Sequence, residues 1–83
     1  MNKFETLQSA LKARNDEILG YQINIDNYTR AIAKINADHA DNPAMVTFRD
    51  NLTELLTSNQ TEQLKATIIR EVIAEQVTEM EAS

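Results

Sequence analysis

Phe4, Leu7, Leu11, Arg14, Ile18, Tyr21, Ile25, Tyr28, Ile32 and Ile35 follow one another at alternating spacings of three and four. Nine of these ten are apolar or aromatic. That spacing gathers side chains into one stripe only on an α-helix, and the period is that of a heptad seam. A strand would need alternation every second residue. The chain is therefore organised around one long helix that needs a partner along its whole length.

Composition says how the rest can answer. The sequence has 83 residues with one Gly and one Pro, too few breakers for the many turns of a sheet protein. It reads as a single all-α domain over 1–83. Eight basic and 13 acidic residues give a net charge of −5. That balance opposes a protein built to grip phosphate backbones, so nucleic acid is not the expected partner. It is also wrong for a helix lying on an anionic membrane. No apolar run reaches the length of a membrane span, and MNKFETLQSA lacks the apolar core of a secretory signal. Cytoplasmic residence is the simplest expectation. The chain has no Cys, which removes disulfides and thiolate metal sites.

The first helix is expected over about 3–40. Asn2-x-x-Glu5 has the form of a capping box. Asp41-Asn42-Pro43 then stops it, because a residue before Pro is pushed out of the helical region. The same tripeptide starts the next helix, with Asn42 as cap and Pro43 at the first position. So short a connection makes the neighbours antiparallel, giving a long coiled-coil-like helical hairpin. In the second arm, Met45, Val46, Phe48, Leu52, Leu55 and Leu56 recur at helical spacing. Five polar residues, 57–61, interrupt them before Leu64, Ile68, Ile69, Val72, Ile73, Val77 and Met80 resume. This stretch could be a solvated part of one continuous helix. A change of phase across it favours a break, into a helix over about 43–57 and another over about 60–81, with Asn59 as cap.

A fold-back at residue 42 places residue i near residue 84 or 85 minus i. Three opposite-charge pairs follow: Lys34 with Asp50, Arg30 with Glu54, and the seam residue Arg14 with Glu71. Exposed pairs of this kind contribute about 0–1 kcal/mol each and would set register more than stability.

Sites for chemistry are few. His39 lies between Asp38 and Asp41, but a solvated His at a helix C-terminus is the favoured reading over a metal ligand. Glu71, Glu75 and Glu79 share one helix face, which would make an acidic docking surface or a solvated tail. Tyr21 and Tyr28 lie seven apart on the seam, where packing is favoured over base stacking. No phosphate loop and no nucleophile–base arrangement is present, so no catalytic residue, cofactor or small-molecule ligand is expected. Leu19 and Ile23 lie off the seam beside Gly20. Together with Ile69, Ile73 and Val77 they form a candidate interface, since a two-helix hairpin would leave such residues exposed. A third helix folding over Gly20 into a compact bundle would cover them instead.

The run Tyr21-Gln22-x-Asn24-Ile25-Asp26-Asn27-Tyr28, with Leu55-Leu56 and Glu62-Gln63-x-Lys65, resembles small uncharacterised helical proteins of tailed bacteriophages. The likeness covers most of the chain, and its motifs are non-catalytic. It implies a phage-encoded accessory or assembly protein acting through contacts in the host cytoplasm, and it transfers no site residues. The expected function is non-enzymatic: a hairpin that self-associates, as a dimer forming a four-helix-type bundle, or that occupies a surface on another protein. The alternative is an acidic inhibitor or nucleic-acid mimic docking its Glu71/Glu75/Glu79 face on a basic groove. An RNA-binding hairpin ranks below both, because the basic residues are few.

Overall fold

The computed structural model describes residues 2–82. Two helices, α1 (Lys3–Asp38) and α2 (Pro43–Ala82), fold into an antiparallel hairpin. No strand occurs among the described residues. The molecule measures 62 × 16 × 15 Å, with a radius of gyration of 18.4 Å. A compact chain of this length would have a radius near 12 Å. The shape is a rod with a core one side-chain layer thick.

The ends of the helices are built as their sequences dictate. Asn2 has extended backbone, and its Oδ1 accepts from the Glu5 N–H at 2.8 Å. At the turn, the His39 N–H donates to the Ile35 carbonyl at 2.8 Å and ends α1. Asn42 Oδ1 then accepts from the N–H groups of Ala44 and Met45, at 3.0 and 3.3 Å. The Asn42 carbonyl takes the first α2 bond, from Val46 at 2.9 Å. Pro43 sits at the one helical position where a missing N–H costs nothing.

The second arm is a single helix, not two. The expected break at 57–61 is absent: α2 runs unbroken from Pro43 to Ala82. Three of the five polar side chains that suggested a break bond to the helix itself. Thr57 Oγ1 donates to the Thr53 carbonyl and Thr61 Oγ1 to the Thr57 carbonyl, both at 3.1 Å, and Asn59 Nδ2 donates to the Leu55 carbonyl at 2.8 Å. Such bonds to the preceding turn let Thr and Asn sit inside a helix without unwinding it.

Register explains why the helix has no reason to break. Asn24 Nδ2 donates to Asn59 Oδ1 at 3.1 Å, Gln63 Nε2 to Gln22 Oε1 at 2.9 Å, and Arg49 Nη1 to Asn36 Oδ1 at 3.0 Å. These bonds place residue i of α1 opposite residue 84 minus i of α2, to within one position. Mapped this way, the α1 seam returns an α2 seam of Arg49, Leu52, Leu56, Asn59, Gln63, Ala66, Arg70, Ile73, Val77 and Met80. Every one of them is buried or half-buried. The heptad continues in phase through the polar stretch, and some of its positions are polar.

The layers differ in quality. Ile32 with Leu52 and Tyr28 with Leu56 are apolar near the turn; Leu11 with Ile73 and Leu7 with Val77 are apolar at the far end. Between them lie Ile25 with Asn59, Tyr21 with Gln63, Ile18 with Ala66, and Arg14 with Arg70, of which Ile18 with Ala66 alone is apolar on both sides. Among the described residues the buried hydrophobic side chains are Ile35, Leu52, Ala66 and Val77. So thin a core makes the turn cap count. Replacing Asn42 by Ala leaves the first α2 donors unsatisfied and is expected to cost about 1 kcal/mol, read as a lower midpoint in urea denaturation followed by circular dichroism.

Candidate functional site

With the seam spent on hairpin formation, the outer surfaces carry whatever the molecule does. Numbering the heptad so that seam residues take positions a and d, an antiparallel pair has one flank of e and b positions and another of g and c, with f facing outward. The large exposed hydrophobics are Leu19, Ile23, Phe48, Leu55, Leu64, Ile68, Ile69 and Val72. Phe48, Leu55 and Ile69 occupy g, and Val72 occupies c. Ile23 and Ile68 lie at f, while Leu19 and Leu64 lie at b. Leu64 is 62 % exposed and Ile68 52 %.

The candidate interface is thereby divided. Leu19, Ile23 and Ile69 are exposed. Ile73 and Val77 are not part of that surface: they are seam residues packed towards α1, with Val77 buried. The compact three-helix arrangement does not form either. Leu19 is 59 % exposed, and a Cβ placed on Gly20 would meet nothing within 4 Å. Leu64, Ile68 and Val72 emerge as the dominant outer apolar group. The α1 seam and the hairpin register together contain the signal for this, because subtracting the α2 seam leaves these residues without a place to pack.

The charge pairs show the same lesson about direction. Arg14 Nη1 lies 3.1 Å from Glu17 Oε2 on its own helix, and Asp50 pairs with the adjacent Arg49 at 3.3 Å. The pairs Lys34–Asp50, Arg30–Glu54 and Arg14–Glu71 do not form among the described residues. Each matches in level along the rod but not around it. Lys34 at c and Asp50 at b sit on opposite flanks, Arg30 and Glu54 at f both face outward, and Glu71 at b points away from the seam. Arg14 shares its layer with Arg70, and Glu17 supplies the opposite charge.

Glu71, Glu75 and Glu79 are exposed and line a shallow groove with Ala74 and Thr78. They make no ion pair among the described residues. Asp38, His39 and Asp41 border the turn, and no group of three potential ligands is gathered there or elsewhere among the described residues. Tyr21, half-buried on the seam, donates its hydroxyl to Glu17 Oε1 at 3.2 Å. Partial burial raises its pKa above the usual tyrosine value; the Glu17 hydrogen bond and charge add to this, as does Glu62, while Arg14 opposes them. No helix among the described residues is long and apolar enough to cross a membrane.

The fold is an all-α antiparallel helical hairpin. No family model, curated protein or solved structure matches the chain.

Two outcomes follow from these surfaces. Because the space over Gly20 is open, Gly20→Ala is expected to stabilise the hairpin by about 1 kcal/mol, seen as a raised thermal midpoint. For Tyr21, the raised folded-state pKa means that the neutral phenol is the form the fold favours. Its contribution to stability is complete below the ordinary tyrosine pKa of about 10 and is lost as pH climbs through the raised folded value. In a Tyr28→Phe background, absorbance titration should report Tyr21 ionising above the usual range, and adding Glu17→Gln should lower it while leaving the part due to burial.

Proposed function

We propose that this protein is a non-enzymatic interaction protein, a helical hairpin that self-associates and serves assembly or scaffolding. One observation carries this: the hairpin buries four hydrophobic residues among those described and leaves eight large ones exposed. An excess of exposed apolar side chains over buried ones favours burial against a partner. The resemblance to small helical proteins of tailed bacteriophages supports an accessory or assembly role exercised through contacts, in the host cytoplasm. Sedimentation equilibrium across micromolar to millimolar concentration is expected to show a reversible monomer–dimer system. A monomer throughout that range would overturn self-association.

A second reading draws on the three exposed carboxylates of α2. Glu71, Glu75 and Glu79 without an intramolecular cation would suit an inhibitor or mimic that docks on a basic surface. A triple Glu→Gln variant that still captures the same cellular proteins as the wild type would count against it.

A further inference from the structure

We infer that Pro43 is what holds the seam within one chain, and that without its stop two copies exchange arms and pair as a single antiparallel rod. The exchange uses the seam itself and none of the outer apolar residues, so it stands apart from the self-association proposed above.

The starting point is the phase of the two seams. Ile35 is the last seam residue of α1 and Arg49 the first of α2, and they lie 14 residues apart, two heptads. If the turn became helical, both seams would fall on one face of one helix. The seam would pass through residues 39, 42 and 45, with one extra step of three at its centre. A three-residue insertion of this kind overwinds a coiled coil locally and does not end it. Met45, already half-buried, would continue the stripe.

The matching rule makes such a helix complementary to itself. Because residue i faces residue 84 minus i, two extended copies pair about a twofold axis at residue 42 with every layer of the hairpin kept. Ile32 of one copy meets Leu52 of the other, and Leu7 meets Val77. The Asn24–Asn59 and Gln22–Gln63 bonds each form twice. The contact is isologous and closed, as in other exchanges of an identical element between copies. Nothing in the seam distinguishes pairing within a chain from pairing between chains. Only the residues of the turn do.

Those residues oppose the straight form. In the hairpin the His39 carbonyl accepts from the Asn42 N–H at 3.1 Å. In a continuous helix that carbonyl would face Pro43, which has no N–H to offer and whose ring would press against it. Pro43 would also push Asn42 out of the helical region. An exchanged dimer carries this fault twice, once in each chain. The hairpin carries none, because Pro43 sits at the first position of α2. Chain connection acts in the same direction, since a short linker holds the two arms at an effective concentration in the millimolar range.

The test is to make the turn a helix former with Asp41→Ala, Asn42→Ala and Pro43→Ala together. At about millimolar chain concentration this variant is expected to form the exchanged dimer. X-ray scattering should then show a rod of roughly 120 Å, the length of a helix from Lys3 to Ala82, in place of the 62 Å of the hairpin. Helicity by circular dichroism should rise. The chain has no cysteine, so the arms can be traced by disulfides. Asn24→Cys with Asn59→Cys sets two thiols where the side chains meet at 3.1 Å. Oxidation should lock the parent hairpin as a covalent monomer and the turn variant as a covalent dimer. Asp41→Ala with Asn42→Ala, Pro43 kept, should still give the monomer. A turn variant that locks as a monomer of the hairpin's length, or that loses helicity, overturns the exchange. A covalent dimer that forms as readily with Pro43 kept overturns the role given to the proline.

Discussion

Everything in this molecule depends on one matching rule: residue i of α1 faces residue 84 minus i of α2. A two-helix hairpin has no third element to hold a helix in place, so the seam alone decides rotation and register together. Shifting either helix by one residue would move a half-buried row to the outside. Apolar layers supply the attraction, but they tolerate sliding because one aliphatic packs much like another. The hydrogen bonds Asn24–Asn59, Gln22–Gln63 and Arg49–Asn36 do not. They join named partners at registers within one position of that rule. This is the use of polar seam residues that coiled coils show, where stability is given up for a unique alignment.

The turn end and the far end contribute differently. Asn42 and Pro43 fix the direction of the return through a cap and a locked backbone angle, both local and both readable from three residues. At the far end the seam continues through the apolar residues Leu7, Leu11, Ile73 and Val77.

Much of this was legible in the sequence. The α1 seam, the turn at Asn42-Pro43 and the antiparallel register all follow from spacing and elementary backbone sterics. What was not legible was the continuity of α2. Apolar residues alone suggest a change of phase there, because Phe48, Leu55, Leu64 and Ile68 belong to outer surfaces while Arg49, Asn59, Gln63 and Arg70 belong to the seam. Following the register rather than hydropathy recovers the true α2 seam. The charge pairs failed for a related reason. Level along a rod is one coordinate, and Lys34 and Asp50 agree in it while differing in the other. The division of the candidate interface has the same origin, since Ile73 and Val77 look like outer residues until the seam is assigned.

The three polar layers in the middle of the rod have a consequence for its motion. They divide the apolar layers into a block near the turn, a block at the free ends and, between Tyr21–Gln63 and Arg14–Arg70, the single layer of Ile18 with the buried Ala66. The block near the turn closes a short loop through a preformed cap, so its ordering entropy is small. The distal block is joined to the turn only through these layers. The hairpin therefore behaves like a clasp with a stiff hinge and looser tips. Local opening is expected to begin at the tips, where the two helices are not joined, rather than at the bend.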